Sequence, residues 1–137
     1  MTMTSYQVSD VVAVAEFRAA LRQFLRRSER VARESGLTPQ RQLLLLMIKG
    51  APGGGEQSTV TELSDRLQLA QSTVTELVRR AEEAGLIERE QSQTDARVAH
   101  LRLTPEGERR LKLSFTELET ERSQLRDAFA HLDDAAG

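Results

Sequence analysis

The chain has 137 residues, 39% of them apolar, with no cysteine and only two histidines, His100 and His131. That length suits one domain with a core of its own, and the missing residue types exclude disulfides, thiol redox sensing and a zinc site of ordinary type, so neither metal nor cofactor is expected. A net charge of −2 weighs mildly against a heavily basic footprint on nucleic acid, which makes the placement of charges more informative than their total.

In chain order, the start MTMTSYQVSD lacks the charged-then-apolar pattern of a secretory leader, and no apolar stretch approaches the roughly 20 residues that cross a bilayer. A soluble, cytoplasmic protein is expected. Val14, Phe17, Leu21, Phe24 and Val31 keep helical spacing through a first helix over 9–34, which also gathers Arg18, Arg22, Arg26, Arg27, Arg30 and Arg33. Thr38 and Pro39 open a short helix whose stretch 43–48 is apolar almost all round and is therefore expected to be buried. The glycine-rich run at 50–57 reads as a connector, because no Gly-Lys-Ser or Gly-Lys-Thr follows to make it a phosphate cradle.

Two short amphipathic helices come next. Thr59 with Glu62 three residues on forms a capping box. Val60, Leu63 and Leu67 fall at helical spacing, and Leu69 is placed to plug the angle of the turn. The second helix starts between Ala70 and Ser72; Val74, Leu77, Val78 and Ala81 form its buried stripe. The opposite face carries Ser72, Glu76, Arg79, Arg80 and Glu83, flanked by Thr73 and Thr75, and Gly85 ends the helix. The period then changes to two. Leu86 and Ile87 begin one strand, and Ala99, Leu101 and Leu103 mark the core-facing set of another, around a polar tip that holds Asp95 and Arg97. A helix-turn-helix followed by such a hairpin suits a grip on duplex DNA, with the arginine drawn to the negative minor groove. Thr104 and Pro105 open a last long helix, in which Leu111, Phe115, Leu118, Leu125, Phe129 and Leu132 recur every three, four or seven residues. Arg122 interrupts that seam, either fixing register or reaching outward. A stripe of this kind without an obvious partner inside the chain calls for a second surface.

The segment resembles the MarR family of bacterial transcriptional regulators, through Leu63 to Leu67, Gln71-Ser72-Thr73-Val74-Thr75, the run Leu77 to Arg80, Gly85-Leu86-Ile87-Glu88-Arg89, the wing pair Asp95 and Arg97, and Leu103-Thr104-Pro105-Glu106-Gly107. By motif this covers about a third of the chain. Two features depart from the pattern: Glu76 stands where many members carry a basic or neutral residue, and the loop at 50–57 is longer and richer in glycine. The resemblance implies a mainly α fold with a small β-hairpin wing, a winged helix-turn-helix with long N- and C-terminal dimerisation helices. A single domain over 1–137 follows, with dimerisation helices at 9–34 and 105–132 and a DNA-binding part at 38–103.

The resemblance further implies a homodimeric, sequence-specific repressor that is released from DNA by a small-molecule effector. Its DNA-binding residues would be Gln71, Ser72, Thr73, Thr75, Glu76, Arg79, Arg80 and Arg97, with Asp95 orienting Arg97 or capping the turn. Its dimer seam would use Val14, Phe17, Leu21, Leu118, Leu125, Phe129 and Leu132. A twofold dimer would read an inverted-repeat operator with half-sites about 34 Å apart. The alternative is a winged helix that meets a protein chain with the same faces. No nucleophile with its base, metal cluster or cofactor loop points to an enzyme.

Overall fold

A computed structural model describes residues 6–136, with side chains as far as Asp134. Residues 1–5 and 137, which belong to the 1–137 domain expected above and partly to the start read for a leader, lie outside the described residues. Six helices and one hairpin follow in order: α1 (Val8–Glu34), α2 (Pro39–Lys49), a 3-10 turn (Pro52–Gly54), α3 (Val60–Leu67), α4 (Gln71–Glu83), β1 (Ile87–Gln91), β2 (Ala99–Leu103), α5 (Pro105–Glu117) and α6 (Glu119–Ala136). The chain divides into two compact units, one of residues 32–114 and one of the described parts of 1–31 and 115–137. No helix among the described residues is long and apolar enough to cross a membrane.

In the 32–114 unit the apolar stripes of three helices converge. Leu44, Leu45 and Ile48 of α2, Leu63 of α3, and Val74, Val78 and Ala81 of α4 are all fully buried, and Leu86, Ile87, Leu101 and Leu111 close the same core. Leu77 joins it from the side, half-buried. β1 and β2 pair antiparallel with Ile87 opposite Leu103 and Arg89 opposite Leu101. On its other edge β2 takes a short bridge from Ser58, whose N–H and carbonyl exchange bonds with Leu101 at 3.1 and 2.8 Å. The inner edge of the hairpin is therefore paired, and only its outer edge and tip remain open.

Local chemistry sets the element ends. Thr38 Oγ1 accepts the Arg41 N–H, and the Thr59–Glu62 capping box forms in both directions, at 3.2 and 2.9 Å. At the end of α4, Gly85 takes φ +75°, its N–H bonds Glu82 O, and the Leu86 N–H reaches Ala81 O, the paired bonds of a Schellman turn. Thr104 Oγ1 donates to Gly85 O at 2.6 Å and accepts the Gly107 N–H at 3.1 Å, so one hydroxyl joins the end of α4 to the start of α5. A Cβ on Gly107 would stand 2.1 Å from Leu86 O, which is why that helical position has none.

Three expectations are corrected here. The helix apolar on all sides is not buried on all sides, for Leu43 and Leu46 of α2 stay 44% and 39% exposed while Leu44, Leu45 and Ile48 fill the core. A helix packed along one flank has only that flank to bury. Leu69 does not plug the turn but is 38% exposed; Gln68 takes the left-handed conformation at φ 56°, and Ser64 bonds the Leu69 backbone instead. The last long helix is broken at Leu118 into α5 and α6. Arg122 is the reason the break is tolerated: its guanidinium turns back to donate to Phe115 O and lies 3.7 Å over the Phe115 ring, satisfying a carbonyl at the end of α5.

In the second unit α1 and α6 meet inside one chain. Phe17 and Phe129 make an edge-to-face ring contact at 6.1 Å, and Arg27 pairs with Glu121 at 3.3 Å. The pairing of low with high numbers makes the two helices antiparallel. The apolar stripe therefore has an internal partner, which spacing along a sequence cannot reveal.

Candidate nucleic-acid interface

α4 begins after Ala70, which caps it with extended backbone but no side-chain bond. With Val74, Val78 and Ala81 turned into the core, the geometry of the helix leaves Gln71, Ser72, Thr73, Thr75, Arg79 and Arg80 exposed and Glu76 half-buried at its opposite surface. Gln71 reaches across to Thr61 Oγ1 at 3.4 Å, tying the first turn of α4 to α3. The expected reading face is thus a single outward surface of one rigid element.

Charge on that face is paired within the helix. Glu76 accepts from Arg79 Nε and NH2 at 2.9 and 2.5 Å and from Arg80 Nε at 3.1 Å, while Arg79 NH1 donates to Glu83. Glutamates placed three and four residues before arginines are well spaced for such pairs. Two carboxylates stand against two guanidiniums, so the cluster is formally neutral. Hydrogen bonding from Arg79 first, and from Arg80 after it, holds the Glu76 carboxyl down at about 2, and the Arg79 guanidinium is raised in turn. The pattern continues beyond α4, with Arg89 on Glu82 at 3.0 Å and Arg102 on Glu90 at 3.3 Å.

The tip of the hairpin is built around two side chains. Ser92 Oγ accepts the N–H groups of Thr94 and Asp95 at 3.3 Å each, and Val98 N–H returns to Asp95 O at 3.0 Å. Asp95 Oδ1 accepts both the Arg97 N–H at 3.0 Å and its Nε at 3.3 Å, with NH2 3.5 Å from Oδ2. The backbone N–H of Arg97, then its guanidinium, lowers the Asp95 pKa. Arg97 is nevertheless 91% exposed. Asp95 both caps the turn and aims the arginine, which joins the two alternatives that the sequence left open.

Two supporting cations were not legible as such in the sequence. Arg66 of α3 donates to Met47 O at 2.7 Å and Gly50 O at 3.3 Å, closing the C-terminal end of α2, and Arg110 of α5 donates to Gly36 O at 2.9 Å. Their partners are backbone carbonyls far along the chain, for which no spacing rule exists.

Of the expected dimer residues, Leu118 is buried, Phe17, Leu21, Leu125 and Leu132 are half-buried, and Val14 and Phe129 are 46% and 59% exposed. Sequence spacing missed Val8, Val11 and Val12, which leave a further apolar row on α1 exposed at 76%, 44% and 49%.

Residues 35–98, which hold α2, α3, α4 and most of the hairpin, match the sequence pattern of the MarR family. Over this stretch, just under half of its length, the chain is similar to the MarR family. It is 40% identical over 77 residues to an uncharacterized HTH-type transcriptional regulator, YsmB, of Bacillus subtilis (strain 168); the match takes in 56% of this chain but only 50% of that protein's length. A crystal structure of a MarR family transcription regulator superposes with a TM-score of 0.69 at 25% identity, over 92% of this chain and 81% of the other. FabT of Streptococcus pneumoniae, solved in complex with DNA, gives 0.59 at 27% identity over 66% and 61% of the two chains. A cysteine mutant of MarR from E. coli, complexed with operator DNA, shares the fold at a TM-score of 0.68 and 19% identity, over 85% and 84%. Two of these relatives, YsmB and the MarR family regulator of the 0.69 superposition, are described as transcription regulators, not as enzymes.

Proposed function

We propose that the chain is one subunit of a dimeric, sequence-specific DNA-binding transcriptional regulator that acts as a repressor. The observation that carries this reading is the joint exposure, in one compact unit, of the polar α4 face and the Asp95-aimed Arg97 tip. Ser72, Thr73 and Thr75, with Gln71 at the helix start, reach base edges in the major groove. Arg79 and Arg80 lie beside them, and Arg97 enters the flanking minor groove. That two similar chains were crystallised with DNA supports the reading.

Segments 9–34 and 105–132, the second of them formed by α5 and most of α6, make the dimerisation part of a 1–137 domain whose 38–103 part binds DNA. The exposed Val8, Val11, Val12 and Val14 row supports a second copy as its cover. A twofold pair spaces the two α4 helices about 34 Å apart, on an inverted-repeat operator. A small-molecule effector that loosens this grip completes the proposal, which here rests on the family resemblance.

One observation favours a second reading. The formally neutral α4 cluster would also suit a protein partner, since a phosphate backbone draws on net positive charge. Mobility shift decides between them, with the duplex upstream of the protein's own reading frame against an unrelated duplex of equal length. Retarded, sequence-selective complexes are expected; no retardation at any salt concentration would leave only the protein-partner reading.

A further inference from the structure

Arg79 and Arg80 are neighbours on α4, yet their surroundings differ. All three nitrogens of the Arg79 guanidinium are engaged, by Glu76 through Nε and NH2 and by Glu83 through NH1. Arg80 is held by Nε alone, 3.1 Å from Glu76 Oε1, and 60% of its side chain is exposed. Glu76 therefore fixes the direction of Arg80 while leaving its two terminal amino groups open. Arg79, bridged between two carboxylates that lie one turn to either side of it, serves to hold Glu76 in place.

We propose that Glu76 is a specificity-determining residue and that the Glu76–Arg80 pair reads a G·C base pair in the major groove; this rests on the DNA-binding reading above. Guanine presents N7 and O6 as acceptors, which match the open fork of Arg80, and the cytosine paired with it presents an N4 amino donor, which matches a carboxylate oxygen. One base pair thus gives each half of the ion pair a further partner while the Nε bond is kept. A phosphate can take the open fork of Arg80, but it offers no donor to Glu76 and repels it. Sequence-independent binding accordingly sets Glu76 against phosphate with no cytosine donor to offset the repulsion, so Glu76 disfavours wrong duplexes more than the right one. A glutamate on a reading face is in this view a filter against non-specific binding.

Selection from a pool of duplexes with a randomised core tests this, using the full chain and its Glu76→Ala, Glu83→Ala and Arg80→Ala variants. Salt titrations on the enriched duplex and on an unrelated duplex complete the comparison. The parent chain should enrich a motif with a fixed G·C pair in each half-site. Glu76→Ala and Arg80→Ala should lose preference at that one position and keep the rest. Glu76→Ala should also lower the ratio of specific to non-specific affinity about tenfold and steepen the salt slope by about 1 for each phosphate that a released arginine reaches. Glu83→Ala removes the same charge from Arg79 alone, and should leave the motif unchanged. A Glu76→Ala motif identical to the parent's, or a Glu83→Ala variant that relaxes the same position, would overturn the proposal. If the parent chain enriches no sequence, it is the DNA-binding reading that fails, and this inference falls with it.

Discussion

Arg97 keeps 91% of its side chain in water while Asp95 binds both its backbone N–H and its guanidinium, a combination that spends a carboxylate on aiming a surface arginine. Replacing Arg97 by Ala should weaken duplex binding and lower the salt slope by about 1 for each phosphate that Arg97 neutralises in the parent complex. Equal affinities for parent and variant across several salt concentrations would remove Arg97 from the interface. Glu76 offers a pH test. Its pKa is held at about 2, below the ordinary 4.5, by Arg79 and then Arg80. A depressed carboxyl contributes to the fold above its ordinary pKa and loses that contribution as pH falls through the depressed one. The α4 pairs should therefore persist unchanged from pH 8 to about 5 and open only in the window below about 4.5. Carboxyl carbon chemical shifts followed by NMR should place the Glu76 midpoint near 2, and Arg79→Ala should move it back toward 4.5.

Among the elements, α3 and α4 are the pair on which presentation depends, and their starts are unequal. α3 has only eight residues and a complete capping box, so Thr59→Ala should cost about 1 kcal/mol in urea unfolding. α4 begins on Ala70, with φ −62° and ψ 147° and no side-chain bond. That backbone already suits a capping hydroxyl, and Ala70→Ser should raise stability by about 1 kcal/mol in the same measurement. An unchanged denaturation midpoint for Ala70→Ser would mean that packing of Val74, Val78 and Ala81 alone fixes where α4 starts, and for Thr59→Ala that packing of Leu63 alone holds α3.

On the scale of the whole molecule, Gly107 joins the elements behind the hairpin: its missing Cβ lets α5 approach Leu86 O, and Thr104 bonds the neighbouring Gly85 O. Gly107→Ala should destabilise the 32–114 unit by about 2 kcal/mol, seen as a lower thermal midpoint, because a backbone carbonyl cannot step aside as a side chain does. The assembly has its own test. Sedimentation at micromolar concentration should show a dimer, and a stable monomer would remove the half-site geometry proposed above.

Much of this was legible along the chain, and for a definite reason. Caps, breaks and period changes are local events: Thr38, Thr59, Gly85, Thr104 and the alternation through Leu101 each act within a few residues, so spacing alone locates helix, turn and hairpin. The outward face of α4 followed in the same way from Val74, Val78 and Ala81 facing inward. What lay beyond the sequence was every choice among partners distant along it. Helical spacing could not say that Phe17 would find Phe129, that Arg122 would turn back onto Phe115, or that Leu43 and Leu46 would stay in water beside buried Leu44 and Leu45. Nor could it say that Glu76 would hold one arginine fully and the other by a single nitrogen. Periodicity tells which side of an element is apolar; only packing in three dimensions decides what covers it and which of several reachable charges a side chain takes.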